Sequence, residues 1–309
     1  MATETVTKTT ASGPLGPGFD VPGSEIRYRD AFNQTLREAL RQDPSVFLMG
    51  EDVAGGAGRE HLGIIDSWGG PFAATKGLIQ EFGKERIRDT PISEAGIVGA
   101  AIGAALTGSR PVVDLMYFDF VTVAFDQLLS NAAKSRYMFG GQTKVPMTIF
   151  ARSGAGTGHA AQHSENFYSI LAHIPGLKVV APSDPYTCKG LLTAAIQDDD
   201  TVIMCNHKKL INLTGFVPEE PYSIELGKGR YLRRGKDVSL ISMSWTSEVC
   251  RRAALQLAEE GIDAEVVDLL SLAPMDEEII LETVANTNRV VIVDEDTPRC
   301  GMAADIAAL

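Results

Sequence analysis

Two stretches of the sequence carry side chains that could move protons, and the first is residues 89–96. Pro91 holds the backbone extended before a helix, and Ser93 is predicted to cap that helix. Glu94 then falls in the first helical turn, where the helix dipole stabilises a carboxylate. The spacing alone favours an ordinary helix-terminal glutamate over a functional one, because functional carboxylates are the minority.

The second stretch is the glycine-rich segment 154–158, which leads to His159 and His163. A dinucleotide fingerprint needs GxGxxG at the start of a helix, whereas here GxGxG precedes polar residues and no phosphate-loop lysine follows. We therefore reject a nucleotide site. A glycine loop that presents His163 to a cleft is more attractive, because imidazole transfers protons near neutral pH. A lone loop histidine is still more often structural or solvated.

Two further groups follow predicted strands, at the carboxyl ends where parallel sheets bind ligands. Met116 and Phe120 could hold a flat heterocycle, although packing in the core is the simpler alternative. Glu51 follows the strand that ends at Gly50, and an ordinary surface loop is the default interpretation.

Oxygen atoms that could bind a cation gather at the end of a predicted helix, around Ala195, Asp198 and Asp200. A solvated acidic turn explains the same residues equally well. The residues alone leave both interpretations open.

Strands and helices are predicted to alternate along the chain. In residues 29–43, for example, Phe32, Leu36 and Leu40 share one helical face. The predicted strands are 46–49, 111–116, 145–150, 177–181, 202–205, 238–243, 264–269 and 289–293. The other predicted helices begin near 93 and span 120–137, 186–196, 248–260 and 277–285. Such alternation predicts an α/β fold with a mostly parallel sheet and helices on both faces.

The helix that begins near residue 93 has one nearly smooth face. Small residues recur there at three- and four-residue spacing, namely Gly96, Gly99, Ala100, Gly103 and Ala104. Such a face lets another helix approach closely. We expect a buried helix at a tight contact, of the kind that a subunit interface provides.

Composition divides the chain into four parts. Residues 1–25 are rich in Thr, Gly and Pro and are predicted to be a flexible tail, without the features of a signal peptide. Residues 26–206 are predicted to form a larger α/β domain and residues 231–309 a smaller one. Between them, residues 207–230 show no periodic pattern of apolar residues. The segment without periodicity is predicted to be a linker.

Charge and composition argue against several classes of protein. A net charge of -12 and a pI near 4.9 argue against nucleic acid, since phosphate binding needs clustered Lys and Arg. No run approaches the roughly 18 apolar residues that a membrane span needs, so no membrane association is expected. The four cysteines form no CxxC pair, which indicates reduced thiols in a cytoplasmic protein.

Four stretches of the sequence together resemble one family. They are TPISEAGIVGAAIGAAL, DQLLSNAAKSRYMFGG, AAQHSE and HIPGLKVVAPSDPY. They are similar to the β subunits of the decarboxylating component of 2-oxo acid dehydrogenases, a family that includes the pyruvate, branched-chain and acetoin dehydrogenases. The resemblance runs in order from about Ile26 to Leu309, and GEDVAGGAG, DFVTVAFDQ and IVDEDTPRC look most like the acetoin dehydrogenase β subunit.

The resemblance implies a transketolase-like pyrimidine-binding domain followed by a smaller domain of the transketolase C-terminal type. It also implies an active site shared with an α subunit, in an α2β2 heterotetramer that binds thiamine diphosphate. Such an enzyme cleaves acetoin or decarboxylates a pyruvate-like 2-oxo acid and passes the acyl group to a lipoyl acyltransferase. Two alternatives stay open: a noncatalytic subunit that docks the α subunit to a complex core, and half of a split transketolase-like synthase.

The resemblance assigns roles to five residues. Glu94 corresponds to the glutamate that hydrogen-bonds the aminopyrimidine ring of thiamine diphosphate, which favours the tautomer that takes the thiazolium proton. Met116 and Phe120 correspond to residues that pack against that ring. His163 corresponds to a histidine that handles protons during substrate addition or acyl transfer, and Glu51 to an acidic residue near the cofactor.

The resemblance also bears on metals. Met147, Ala195, Asp198 and Asp200 correspond to a structural potassium site in some members. The motif GDG followed by Asn, with which thiamine enzymes hold magnesium and diphosphate, is absent from the sequence, and the family places it on the α subunit. We therefore expect Mg²⁺ to be held mainly by the α subunit.

Three features depart from the family pattern. Asp114 stands where many members have Glu, and Asn206 takes the Glu position of a usual Glu-His-Lys run. The chain also ends at Leu309, earlier than members normally do, so that the C-terminal domain is expected to be truncated.

Overall fold

The computed structural model describes residues 21–55, 69, 70 and 72–309, where strands and helices alternate as predicted. The strands are β1 (Gly23–Arg27), β2 (Val46–Gly50), β3 (Ile87–Asp89), β4 (Arg110–Tyr117), β5 (Thr148–Ser153), β6 (Lys178–Val180), β7 (Val202–His207), β8 (Thr214–Pro218), β9 (Arg230–Arg233), β10 (Val238–Ser242), β11 (Ala264–Asp268), β12 (Ser271–Ala273) and β13 (Val290–Val293). The α-helices are α1 (Tyr28–Gln42), α2 (Leu78–Phe82), α3 (Glu94–Leu106), α4 (Ser135–Met138), α5 (Tyr168–Ala172), α6 (Pro185–Gln197), α7 (Trp245–Glu259), α8 (Glu277–Thr287) and α9 (Met302–Ala308).

The larger domain is built on a seven-stranded sheet of order β12–β6–β7–β5–β4–β2–β3. Strands β2 to β7 run parallel, and β12 joins one edge in the antiparallel direction. Strands β2, β5 and β7 are buried along their whole length, as parallel strands covered on both faces must be. The predicted α/β fold with a mostly parallel sheet is confirmed.

Two hydrophobic cores lie on opposite faces of this sheet. Alternate residues of β2 divide between them, because successive side chains of a strand point to opposite faces. Phe47 packs in one core with Ile97 of α3, whereas Leu48 packs in the other with Leu36 of α1 and Leu191 of α6. Helices therefore cover both faces, and α3 lies with its apolar side on the sheet.

The smooth face of α3 is exposed in this chain. Gly96, Gly99, Ala100 and Gly103 are open to solvent, while Ile97 on the other side is buried. The described residues thus bury only one side of the predicted buried helix. The tight contact expected at its small residues is not made within the described part of the chain.

The predicted helix over 120–137 is wrong as a continuous element. The chain instead forms a 3-10 turn at Phe118–Thr122, a π-helical turn at Gln127–Ala132 and then α4. Residues 121–123 are three consecutive β-branched residues, which lose side-chain freedom in an α-helix. The apolar spacing alone did not reveal this interruption.

The smaller domain has a four-stranded sheet of order β13–β10–β11–β9, in which only β9 is antiparallel. Strands β1 and β8 form a separate antiparallel pair. This pair overlaps the predicted tail at residues 23–25 and the predicted linker at Thr214–Pro218. Main-chain pairing orders both segments, and because most of their side chains stay in contact with solvent, no apolar periodicity marks them.

The two domains are joined by more than the linker, since β12 of the smaller domain adds to the larger sheet. Arg230 also donates to Asp268 at 3.0 Å and to Asp184 at 2.6 Å, across the same junction. Asp268 is fully buried and accepts a further hydrogen bond from Ser183 at 2.5 Å. The smaller domain is therefore held firmly beside the carboxyl ends of β6 and β7.

Among the described residues, no helix combines the length and the apolar character that crossing a bilayer requires.

Candidate active site

Glu94 begins α3, directly after the loop that leaves β3. Ser93 occupies the predicted cap position, but its side chain makes no capping hydrogen bond; instead its carbonyl accepts the N–H of Ile97 at 2.8 Å. The N–H of Thr90 donates to the carbonyl of Gly50 at 3.0 Å, which ties this loop to the end of β2. The half-buried Glu94 carboxylate thus lies at the carboxyl edge of the sheet.

Three carboxyl groups, those of Glu51, Glu94 and Asp114, gather at this edge. Burial raises the pKa of Glu51, and the negative charges of Asp52, Glu94 and Asp114 raise it further. Asp114 is buried, and its charge is compensated by an ion pair with Arg152 of β5. Glu51 therefore keeps its proton to a higher pH than an ordinary glutamate does.

Met116 lies at the end of β4 in a strained backbone conformation. Its φ is 59°, which a non-glycine residue adopts only when its surroundings enforce it. Its N–H donates to Oδ1 of Asp114 at 2.8 Å, and the pairing of β4 with β5 shifts register between Asp114 and Tyr117. The buried Asp114–Arg152 pair therefore fixes the backbone of the segment that carries Met116 and Phe120.

His163 meets this segment from the other side. Its imidazole lies edge-on to the ring of Tyr117, with 4.4 Å between centroids, and edge-on to Phe120 at 5.3 Å. Tyr117 and Phe120 contact each other at 6.0 Å. The structure thus brings together two residues predicted from separate motifs, Phe120 and His163.

The glycine loop before His163 is anchored to both domains. Gly154 has φ +89°, and a Cβ there would lie 1.8 Å from Nε2 of His207, so only glycine fits. The N–H of Ala155 donates to Oε1 of Glu295 at 2.9 Å, and Oε2 of the same carboxylate lies 2.6 Å from Nε2 of His207. Nδ1 of His207 accepts the N–H of Lys209 at 3.1 Å, so Nε2 carries the proton that is donated to Glu295.

Sequence reasoning missed several residues of this site. They are Arg152, His207, Lys208 and Glu295, whereas Tyr117 and Asp119 lie within the group 116–120 that the sequence marked. His207, Lys208 and Glu295 could have been suspected, because they lie at or just beyond the carboxyl ends of β7 and β13. Arg152 acts through its pair with Asp114, 38 residues away, which no local pattern reports.

The residues present fit the pyrimidine half of thiamine diphosphate. A thioether, an aromatic ring and a cluster of carboxyl groups suit a flat heterocycle that carries a basic ring nitrogen. Within the described residues, the buried hydroxyl of Thr90 and Oδ2 of Asp119 have no hydrogen-bond partner, as expected of atoms reserved for a ligand. Across residues 21–55, 69, 70 and 72–309, no group of three or more His, Cys, Asp or Glu side chains could hold a metal.

The residues expected at a potassium site lie near the end of α6, where cationic side chains already bind the oxygen atoms. Arg110 donates to the carbonyls of Ile196 at 3.1 Å and of Asp198 at 2.8 Å. Lys178 Nζ lies 2.8 and 2.7 Å from the two carboxylate oxygens of Asp198. Arg136 Nε donates to Asp200 at 2.6 Å.

The remaining two members of that set are buried and engaged in secondary structure. The carbonyl of Met147 accepts the N–H of Val202 at 3.0 Å, and the carbonyl of Ala195 accepts that of Asp198 at 3.4 Å. This donor set does not fit a potassium ion as it stands, because a guanidinium and an ammonium group take the place of the cation.

Comparison with known proteins identifies both domains. The family described as "Transketolase, pyrimidine binding domain" matches residues 24–214, and the family described as "Transketolase, C-terminal domain" matches residues 227–309. A solved structure of a split-gene transketolase, described as an inactive β4 tetramer, superimposes with a TM-score of 0.72 and 23% identity, over 92% of this chain and 83% of that one. This likeness concerns the fold alone.

Several curated relatives are much more similar in sequence. The β subunit of acetoin:2,6-dichlorophenolindophenol oxidoreductase from Bacillus subtilis is 50% identical over 92% of this chain and 83% of its own length. The 2-oxoisovalerate dehydrogenase β subunit of the same organism is 39% identical, over 93% and 84%. The β subunit of the pyruvate dehydrogenase E1 component from Rickettsia felis is 39% identical, over 92% and 84%. The chain therefore belongs to the transketolase-like family, among the β subunits of acetoin and 2-oxo acid dehydrogenases.

Proposed function

We propose that this chain is the β subunit of a thiamine-diphosphate-dependent dehydrogenase component that cleaves acetoin, or decarboxylates a pyruvate-like 2-oxo acid. It acts with an α subunit in an α2β2 heterotetramer and passes the acyl group to a lipoyl acyltransferase. Acetoin is the leading substrate, because the relatives at 50% identity are acetoin oxidoreductase β subunits. We place this assembly in the cytoplasm.

One observation carries the proposal: a proton-holding carboxyl cluster and an imidazole flank the same segment of the chain. Asp114 binds the N–H of Met116, and the ring of Tyr117 meets His163 directly after it. Carboxyl groups and imidazole are the side chains that transfer protons in general acid–base catalysis. Their convergence at the carboxyl edge of a parallel sheet favours an enzyme over a subunit that serves only to dock a partner.

Each side chain has a distinct task in this proposal. Glu94 accepts a hydrogen bond from the ring nitrogen of the cofactor, while Met116 and Phe120 pack against the ring. His163 moves protons at the substrate, and Glu51 holds a proton close to Glu94. Thiamine diphosphate, when bound, supplies the electron sink that carbon–carbon bond cleavage needs.

The proposal divides the chain as the sequence suggested. Residues 26–206 are the pyrimidine-binding domain, 207–230 the connection and 231–309 the C-terminal domain. The α subunit supplies the magnesium and diphosphate site. Potassium has no part in the proposal, because Arg110 and Lys178 already bind the carbonyl and carboxylate oxygen atoms of Asp198.

The proposal is tested by calorimetric titration of thiamine diphosphate and Mg²⁺ into this chain alone and into its complex with the co-expressed α subunit. We expect tight binding only by the complex. Glu94→Gln should weaken binding and abolish acetoin or pyruvate turnover, whereas Glu85→Gln, at an exposed glutamate outside the site, should change neither. Tight binding by this chain alone would contradict the shared site, and full turnover by Glu94→Gln would show that the catalytic carboxylate lies elsewhere.

A further inference from the structure

Lys208 is a buried lysine to which the proposed chemistry gives no role. It is the first residue after β7 and is 4% exposed. Its ammonium donates a hydrogen bond to the carbonyl oxygen of His163. The same ammonium lies 5.4 Å from the centroid of the Tyr117 ring, the ring that the His163 imidazole meets edge-on. Lys208 thus contacts both the backbone of His163 and the Tyr117 ring that packs against the His163 imidazole.

Burial of the charged Lys208 side chain is energetically unfavourable. Burial lowers the pKa of its ammonium, and the negative charges of Asp119 and Glu295 only partly oppose this effect. Within the described part of the chain, the contacts of its ammonium are the His163 carbonyl and the Tyr117 ring, and Asp119 and Glu295 act on it only through their charge. Buried lysines are rarely found without a carboxylate partner. A residue kept in so unfavourable a place has a task that outweighs the cost.

Few main-chain N–H groups of the turn that carries His163 make short hydrogen bonds. The N–H of His163 makes only a long hydrogen bond, 3.4 Å, to Ala160, whose φ of 60° is itself strained. The next N–H, that of Ser164, reaches Oδ1 of Asp119 at 3.3 Å. The hydroxyl of Ser164 also donates to the carbonyl of Ala160 at 2.6 Å, which closes the turn locally. The carbonyl of His163 itself is held from a distant segment, by the ammonium of Lys208.

We propose that Lys208 is a positioning residue for His163, which fixes the histidine backbone through its carbonyl and the imidazole through Tyr117. The inference rests on the proposed function of His163. Lys208 itself touches no reacting atom. Its removal should leave substrate binding largely intact and reduce the fraction of time that the imidazole is correctly placed.

The neighbouring lysine provides a matched control. Lys209 carries the same charge one residue further along the chain, but its ammonium lies 5.6 Å from the ring of Trp245 and beside Gly156, and not at the carbonyl of His163. Lys209→Met removes the same charge as Lys208→Met without removing the support of the turn.

The experiment compares Lys208→Met, Lys208→Arg and Lys209→Met in the complex of α and β subunits. A catalytic group displaced by about 1 Å loses up to ~100-fold in rate, so we expect Lys208→Met to lower kcat by about 10- to 100-fold with little change in KM. Lys208→Arg, which keeps a cationic donor, should regain most of this loss. Lys209→Met should lower kcat much less than Lys208→Met.

The same changes in a His163→Ala background show whether Lys208 acts through His163. There we expect Lys208→Met to cost nothing further, because the group that it positions is gone. An equal loss of kcat in both backgrounds would overturn the inference. Lys208→Gln, which keeps an N–H donor, serves as the second variant if Lys208→Met does not assemble with the α subunit.

A readout without turnover separates this inference from the proposed function. Diethylpyrocarbonate modifies histidine side chains, and mass spectrometry of the peptide that contains His163 gives the rate of its modification. This rate reports the accessibility and local environment of the imidazole. We expect this rate to change in Lys208→Met and to stay unchanged in Lys209→Met. Full activity of His163→Ala would refute the proposed role of His163, whereas an unchanged modification rate in Lys208→Met would refute the positioning role.

Discussion

The guanidinium of Arg152 pairs with the carboxylate of Asp114 across strands β5 and β4, with both side chains only 4% exposed. The same carboxylate accepts the N–H of the strained residue Met116. A buried ion pair of this kind fixes the geometry of the strand end while each charge neutralises the other.

Breaking this pair should destabilise the protein strongly. We expect Arg152→Met to lower the free energy of unfolding by about 3–5 kcal/mol, because it leaves an uncompensated buried carboxylate. The double variant Asp114→Asn with Arg152→Met should regain most of the loss, since the amide oxygen still accepts a hydrogen bond. Arg136→Met, which breaks a partly exposed pair with Asp200, should cost about 1 kcal/mol or less. Urea titration of each complex measures the difference, and equal costs for Arg152→Met and Arg136→Met would contradict the expectation.

Glu51 should make stability depend on pH in an unusual direction. Because its pKa is raised in the folded chain, the folded state keeps a proton that the unfolded state loses. Its contribution is therefore favourable at low pH and is lost as pH rises from the ordinary glutamate value, about 4.3, through the raised value. Glu51→Gln should match the wild type at acid pH, gain stability relative to it as pH rises, and lose kcat. Thermal unfolding from pH 4 to pH 8 provides the test, with Glu85→Gln as the control; a relative gain toward acid pH would show the sign to be wrong.

Two glycines of one loop should respond differently to the same substitution. Gly154 and Gly158 both have left-handed φ, but a Cβ at Gly154 meets His207 at 1.8 Å, whereas one at Gly158 meets nothing within 4 Å. Gly158→Ala should cost about 1–2 kcal/mol from backbone strain alone. Gly154→Ala should cost more and lower kcat, because His207 must move and its bond to Glu295 is disturbed. Melting temperature and kcat measure the effects, and equal losses in the two variants would mean that His207 does not restrict Gly154.

The protein should not require potassium. Lys178 and Arg110 hold the oxygen atoms at the end of α6, so exchange of K⁺ for tetramethylammonium at constant ionic strength should leave the melting temperature unchanged. Lys178→Met frees the carboxylate of Asp198, and that variant should be stabilised by K⁺. Lys236→Met, at a lysine outside this cluster, is the control. A lower melting temperature of the wild type after removal of K⁺ would show that the protein does bind potassium.

The sequence by itself determined most strands of the two sheets and the motif-bearing ends of those strands, but not the short strands β3, β9 and β12. Continuous apolar runs such as residues 46–49 are typical of a strand in a sheet covered on both faces, so their place in the interior is a local property. Pro91 and Ser93 likewise placed Glu94 in the first turn of α3, and the apolar run before it placed Phe120 just beyond a strand end. The family resemblance added the roles of these residues, because the motifs around Glu94 and His163 are specific.

Only the tertiary structure decided which of these residues meet. The contacts of Lys208 with His163, of His207 with Glu295 and of Arg152 with Asp114 join segments between 38 and 88 residues apart. No periodicity encodes such pairs, since they depend on strand order and on the docking of one domain against the other. The same holds for β1 and β8, whose main chains pair although their side chains show no apolar pattern.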